Sequence, residues 1–208
     1  MSTIINADTS AGLKLTSDTS GEIKLQSAGA DIATVSSTGI AMASGKTLTG
    51  DALSNGKILQ VIQNQKTDTF SSTTVLTSTV EVTGGNATIT PSSSSSKVLV
   101  MISGAFGVSP ANYGVALQLK RGTTLISMGD LRGSETRAAA GSPVKGTGWA
   151  ENFAITFLDS PSTTSATTYK LFLGVESGAT ASIGGSYASA GTYNMSIPTN
   201  IVLMEVAA

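Results

Sequence analysis

The sequence predicts an all-β protein, and three observations support this fold class. The apolar residues are mostly Val, Ile, Leu and Ala, aromatic residues are 5% of the chain, and there are 23 glycines. Branched aliphatic residues suit a pleated sheet, and glycine suits the turns between strands. Apolar runs of strand length recur between turn signals, without the apolar period of an amphipathic helix. We expect most of the chain to form an antiparallel β-sandwich of jelly-roll type.

The composition also limits the function. The 208 residues include no Cys and no His, and the net charge is −1. The chain therefore has no Cys thiolate to act as a nucleophile or metal ligand. It also has no His imidazole, which is the commonest general base and metal ligand. Its charge favours neither nucleic acid nor an acidic membrane surface as a partner. We expect a protein that is not an enzyme and that has no catalytic residue, no cofactor and no metal site.

The N-terminal residues carry no targeting signal that we recognise. Residues 1–11 contain neither the basic stretch nor the apolar stretch of a signal peptide. No apolar run approaches the roughly 20 residues that a membrane-spanning helix requires. We expect synthesis in a cytoplasm and no membrane insertion.

Residues 1–56 form a region of their own, which begins with a short repeat. Residues 8–17 and 18–27 both read D-T-S-x-x-(L/I)-K-L-x-S. Each decad combines turn residues with an apolar–Lys–apolar triplet, which predicts a short strand and a turn. Strands with two apolar residues each gain stability by stacking or by wrapping with identical chains. We expect an extended β-repeat stalk within a homotrimer; the alternative is a flexible Ser/Thr/Gly linker.

Residues 57–208 contain longer strands and are expected to form the β-sandwich head domain. A turn is predicted at residues 84–86, and a Gly/Ala/Ser-rich loop at residues 129–148. The apolar run at residues 98–102 predicts a central strand that is buried on both faces. The C-terminal run predicts a strand in the middle of a sheet. The predicted strands are residues 57–63, 74–82, 87–90, 97–107, 114–119, 124–128, 153–158, 169–176, 179–183 and 201–206.

Four aromatic residues in turn-rich stretches are candidates for receptor contact: Tyr113, Trp149, Tyr187 and Tyr193. Exposed aromatic side chains on loops commonly dock sugars or proteins. The alternative is that these rings cover the ends of the sandwich core.

The long loop also carries a cluster of mixed charge. Asp130 and Glu135 alternate with Arg132 and Arg137. Two carboxyl groups at a suitable separation can cleave a glycosidic bond by acid–base chemistry, and Glu151 is a further candidate acid. The neighbouring arginines favour ion pairs that hold the loop, so we expect a structural role. A polysaccharide depolymerase is the alternative function from a different class.

Several short motifs resemble a module that recurs in virion and tail-fibre-like proteins of marine bacteriophages, such as cyanophages and pelagiphages. They include G-K-I-L-Q-V-I at residues 56–62 and K-T-D-T-F-S at residues 66–71. Further motifs occupy residues 89–100, 129–138, 158–170 and 203–207. Residues 16–21 and 33–39 resemble the stalk segments that precede this module. The resemblance covers most of the chain and brings no known catalytic residue.

This resemblance implies a virion appendage that is commonly trimeric. We therefore expect a homotrimeric tail fibre, assembled in the host cytoplasm and located in the virion. Residues 1–6 would bind other virion proteins, and the C-terminal domain would adhere to a host-surface glycan or protein. The alternative with the same architecture is a capsid-bound head fibre or decoration protein.

Overall fold

The computed structural model of the chain describes residues 21–46, 57–146, 148–187 and 194–208. Within these ranges the chain forms fourteen β-strands and no helix, so the all-β prediction is confirmed. The named strands pair with one another in antiparallel fashion throughout. None of the described segments forms a helix of the length and apolarity needed to cross a bilayer. Two compact units divide the chain, Met1–Leu53 and Ser54–Ala208.

The first unit contains a three-stranded sheet in the order β1-β2-β3. Its strands are β1 (Ile23–Ser27), β2 (Ala30–Ser36) and β3 (Gly39–Met42). The apolar–Lys–apolar triplet of the second decad lies in β1, whereas the first decad lies outside the described residues. Ala28 and Gly29 connect β1 to β2 with φ angles of 51° and 77°. Two positive φ angles are typical of the primed two-residue turns that join antiparallel strands tightly.

This three-stranded sheet has one apolar face, which we call the meander face. Ile23 pairs with Val35, which pairs with Ile40, and Leu25, Ala33 and Met42 form the next row. Since side chains alternate between the two faces of a strand, these six residues share one face. Ala33 is buried, but Leu25 is 48% exposed and Ile40 is 63% exposed. The meander face therefore remains partly open to solvent in a single chain, at Leu25 and Ile40.

The second unit contains two further sheets. One has the order β10-β8-β12-β6, with β9 also paired to β8. The other has the order β4-β14-β7-β13-β5, with β11 also paired to β7. The strands are β4 (Ile58–Lys66), β5 (Phe70–Ser72), β6 (Val80–Ile89), β7 (Lys97–Ser109), β8 (Gly114–Arg121), β9 (Thr124–Ile126), β10 (Ala140–Pro143), β11 (Glu151–Asp159), β12 (Thr167–Val175), β13 (Thr180–Ile183) and β14 (Thr199–Val206).

The hydrophobic core lies between these two sheets. Strands β6, β8 and β12 of the five-stranded sheet contribute one side of it, and strands β7, β11 and β14 of the six-stranded sheet contribute the other. Two antiparallel sheets that bury their apolar faces against each other form a β-sandwich, which confirms that prediction. The principal core residues are Val82, Ile89, Leu117, Leu119, Leu171 and Leu173 on one side and Val98, Val100, Ile102, Ile155, Ile201 and Leu203 on the other.

Strands β7 and β14 lie in the interior of the six-stranded sheet. β14 pairs with β4 on one edge and with β7 on the other, as predicted for the C-terminal strand. The prediction that residues 98–102 are buried on both faces is wrong. Val98 and Val100 are fully buried, but Met101 is 41% exposed. Pairing on both edges makes a strand central, whereas burial on both faces would need a second covering layer.

The predicted turn at residues 84–86 is also wrong, because β6 continues through it. Glu81 pairs with Phe172 and Asn86 pairs with Lys170, so the residues between Glu81 and Asn86 form a bulge. Gly84 has a φ of 76°, which glycine adopts without strain. The glycines therefore insert extra residues into one strand instead of reversing the chain.

A buried carboxylate links the two sheets at the end of β11. Asp159 is 6% exposed and accepts hydrogen bonds from Arg121 Nη1 at 3.0 and 2.8 Å and from the Tyr169 hydroxyl at 2.6 Å. Arg121 and Tyr169 belong to β8 and β12 of the opposite sheet. Burial, and then the bond to Asp159 and its charge, raises the pKa of Tyr169. The phenol therefore stays protonated and donates to the carboxylate.

A second buried carboxylate, Glu205 of β14, is fully enclosed. It accepts hydrogen bonds from Gln60 Nε2 at 2.6 Å and from the Ser92 backbone nitrogen and hydroxyl, both at 2.7 Å. Burial raises the pKa of Glu205, but hydrogen bonds from Gln60, Ser92 and Ser96 outweigh burial and lower the pKa to about 2. Glu205 thus joins β14 and β4 to the connection between β6 and β7.

Candidate functional site

A groove of about 800 Å³ opens on the second unit. The paired strands β8 and β10 lie on one side of it, and the long loop that follows β9 lies on the other. Its described lining consists of Leu76, residues 114–116, residues 129–130 and residues 135–143. Small residues and backbone dominate this lining, and among the described residues that line the groove none is aromatic. The volume falls in the range of pockets that hold small organic ligands.

Strand β10 forms one wall of the groove because a glycine lets it approach β8 closely. Ala140 pairs with Leu117, and Pro143 pairs with Gly114. At Gly141 a Cβ atom would overlap the carbonyl oxygen of Val115. A side chain at this position would therefore push β10 away from β8 and change the width of the groove.

Hydrogen bonds hold the loop that forms the other wall. Arg137 Nε donates to the Gly129 carbonyl at 2.7 Å, and Gln118 Nε2 donates to the Arg137 carbonyl at 2.9 Å. The Ala139 nitrogen donates to the Leu117 carbonyl at 2.8 Å. These bonds close the loop on itself and fasten its C-terminal end to β8, so the groove is a built feature of the fold.

The structure brings two of the three candidate acids together. Asp130 and Glu135 both line the groove, and so does Arg137. Arg132 Nε lies 4.0 Å from Glu135 Oε2, and both side chains are well exposed, so this ion pair is weak. Glu151 lies elsewhere, at the start of β11, where it pairs with Phe106 of β7 within the six-stranded sheet. Within the described residues no group of three His, Cys, Asp or Glu side chains is placed to hold a metal ion.

The candidate aromatic residues occupy different environments. Trp149 is 61% exposed, and its ring lies against Gly146, where a Cβ atom would stand 2.9 Å from Cδ1. Tyr187 is about one-third exposed and follows a segment that crosses Gly107 of β7 at close range. Tyr113 packs partly against the core. Tyr193 lies outside the described residues. Trp149 is therefore the most exposed of the three rings that can be placed.

Sequence reasoning did not identify the groove. Its walls are a short edge strand and a Gly/Ala-rich loop, which have no distinctive residue chemistry. The mixed-charge cluster of Asp130, Arg132, Glu135 and Arg137 was the available signal, and all of its members except Arg132 line the groove.

Comparisons with known proteins give little beyond this geometry. No family model matches the chain, and no curated protein matches it. A solved structure described as a mutant VP2 protein of infectious bursal disease virus, from derived T=1 particles, is similar with a TM-score of 0.39 and 16% identity. The similarity covers 82% of this chain and 43% of that chain, so this chain spans less than half the length of the viral protein.

Proposed function

We propose that the chain is a non-enzymatic structural protein of a bacteriophage virion and forms a homotrimeric tail fibre. The open meander face is the observation that carries this proposal. Three short strands leave Leu25 and Ile40 exposed on their apolar face, and so small a sheet is marginally stable without a cover. In a trimer, each copy covers the apolar faces of the other two. The phage assignment itself rests on the resemblance of the sequence motifs.

The mass of the full-length chain in solution tests the trimer. We expect light scattering at micromolar concentration to give three times the chain mass of 20.9 kDa. Ile40→Lys should raise the protein concentration at which the trimer dissociates at least tenfold, because a charge would enter the shared apolar interior. Ala41→Lys is the matched control, since Ala41 is the next residue of β3 and points to the opposite face. A stable wild-type monomer, or equal effects of the two substitutions, would contradict the proposal.

We further propose that the head domain adheres to a host-surface glycan through the groove and Trp149. The groove offers Asp130, Glu135 and Arg137 as hydrogen-bonding groups for sugar hydroxyls. The exposed indole of Trp149 offers an apolar surface with a polar edge, as is common at recognition sites. Three copies of a weak contact would give the fibre avidity without a single tight site.

An array of bacterial surface polysaccharides tests adhesion with the intact protein. We expect binding that Trp149→Ala and Glu135→Ala each weaken about tenfold. Leu131→Ala is the control, because Leu131 is equally exposed on the long loop and does not line the groove. Equal binding by all variants, or no binding at all, would contradict the assignment. Release of reducing ends that Asp130→Asn and Glu135→Gln abolish would instead show a depolymerase, for which the shared groove is the supporting observation.

A further inference from the structure

The outward side of the six-stranded sheet carries a second open apolar face in the described part of the chain. Met204 pairs with Val61 on one side and with Leu99 on the other. Leu99 in turn pairs with Leu158 of β11. These four residues form one row across four strands, and we call the sheet face to which they belong the outer face. Their strand neighbours Val98, Val100 and Leu203 point inward and are fully buried.

The next row of the outer face is partly apolar. Val202 pairs with Gln63 and with Met101, and Met101 pairs with Thr156. Val61, Leu158 and Met101 are 55%, 48% and 41% exposed. Single exposed apolar residues are normal on a protein surface, but a contiguous group across several strands marks an interaction surface.

The outer face has the layout of a protein interface rather than of a ligand pocket. The third row is mostly polar and uncharged: Gln65, Asn200, Ser103 and Ala154 are register partners across the same four strands. An apolar centre beside a polar margin is the usual arrangement of protein–protein contacts. Strands about 4.8 Å apart and rows about 7 Å apart give the two apolar rows an area on the order of 300 Å². This area is below the roughly 800 Å² per partner of a stable independent interface.

Charge and tethering favour another copy of this chain as the occupant. None of the twelve residues in the three rows is charged, and the adjoining row carries Lys97 beside Val206, so copies can bring these three rows together with little repulsion and a charged partner finds few complements. Only residues 43–57 separate β3 from β4 in the sequence. Once the meander faces hold three copies together, the sandwiches meet at an effective concentration in the millimolar range. A contact that is too small to act alone then becomes sufficient.

We propose that the outer face of the six-stranded sheet is the contact between the sandwiches of the assembled copies. This inference rests on the homotrimer of the proposed function. The sandwich would then have two functionally distinct sides: the outer face binds other copies, and the five-stranded sheet with its groove remains free for the host surface. Any substitution on the outer face should therefore alter assembly and leave glycan binding per subunit unchanged.

Thiol cross-linking of the full-length chain tests the contact, because the protein contains no native Cys. Met101→Cys places a single thiol near the middle of the outer face, and Leu131→Cys places one on the exposed long loop. With a bis-maleimide of about 10 Å span, we expect Met101→Cys to give at least five times more covalent dimer than Leu131→Cys. If both variants remain trimeric and cross-link equally, the outer face is not the contact, although the proposed trimer still stands.

A charge substitution provides a second, independent measurement. Val61→Lys should raise the protein concentration at which the trimer dissociates at least tenfold, while Leu131→Lys should leave it unchanged. Circular dichroism checks that both variants fold. Trimers of unchanged stability in both variants would overturn the inference while the proposed trimer stands. If the wild-type chain is monomeric and neither variant changes its mass, the proposed function and the inference fail together.

Discussion

Replacing Glu205 by alanine should lower the free energy of unfolding by about 4 kcal/mol. The substitution removes a fully buried carboxylate that accepts hydrogen bonds from Gln60, Ser92 and Ser96. Each hydrogen bond to a charged group contributes about 1.5–3 kcal/mol, and a buried donor without a partner costs about 1–3 kcal/mol. The Ser92 nitrogen and hydroxyl would both lose their acceptor. Urea unfolding followed by circular dichroism measures the change.

Two further variants separate this effect from a general loss of charge. Glu135→Ala removes an exposed carboxylate whose ion pair is long, and it should change the free energy of unfolding by less than about 0.5 kcal/mol. Glu205→Gln tests the ionised state. The folded pKa of about 2 lies below the ordinary value of 4.5, so the carboxylate contributes fully above about pH 4.5. That contribution is lost as the pH falls towards 2, and Glu205→Gln should remove this part of the acid dependence. Equal losses in Glu205→Ala and Glu135→Ala would refute the role of burial.

The position of Glu205 shows how far strand periodicity reaches. The C-terminal run alternates, so the inward side of Ile201 and Leu203 is also the side of Glu205. The sequence therefore contained the signal for an inward carboxylate. It could not show what neutralises the cost of burial, because Gln60 and Ser92 are 145 and 113 residues away along the chain. Partners that distant are set by strand pairing and not by local pattern.

Long apolar runs predicted strand positions better than faces, whereas the strand predicted at residues 74–82 begins only at Val80. The runs at residues 97–107 and 201–206 correspond to β7 and β14, because apolar content and turn signals act locally. Whether Leu99 and Met101 face a second layer depends on which sheets stack. The same apolar run can occur in a strand that is covered on one face and in a strand that is covered on both. The bulge at Gly84 shows the same limit, since glycine serves both a turn and an extra residue in a strand.

The candidate site was predictable only where charge marks it. Asp130, Arg132, Glu135 and Arg137 were identified from the sequence as a cluster that holds the loop, and all but Arg132 line the groove. The opposite wall is β10, which was assigned to an irregular loop. Its four residues include Gly141 and Pro143, which have low strand propensity. The strand forms because β8 offers a paired edge and Gly141 permits the close approach.

Asp159→Ala is expected to cost about 3 kcal/mol of folding free energy, because it leaves the Tyr169 hydroxyl without its acceptor and Arg121 Nη1 with only the Ser160 carbonyl. Asp159 and Tyr169 are buried, so the phenol hydroxyl has no water to replace the carboxylate, whereas the Arg121 side chain is 28% exposed and can be hydrated. Denaturant unfolding of the variant measures the loss.

A double-mutant cycle distinguishes this cluster from simple loss of packing. Tyr169→Phe removes one hydroxyl and should cost about 1–2 kcal/mol. The double variant Asp159→Ala/Tyr169→Phe should lose about 1 kcal/mol less than the sum of the two single losses, because both substitutions break the same 2.6 Å hydrogen bond. Additive costs would show that the two side chains act independently. Coupling would show that this cluster fastens the end of β11 to the opposite sheet. β11 supplies Leu158 to the outer face, so this same bond would keep that edge of the face in register.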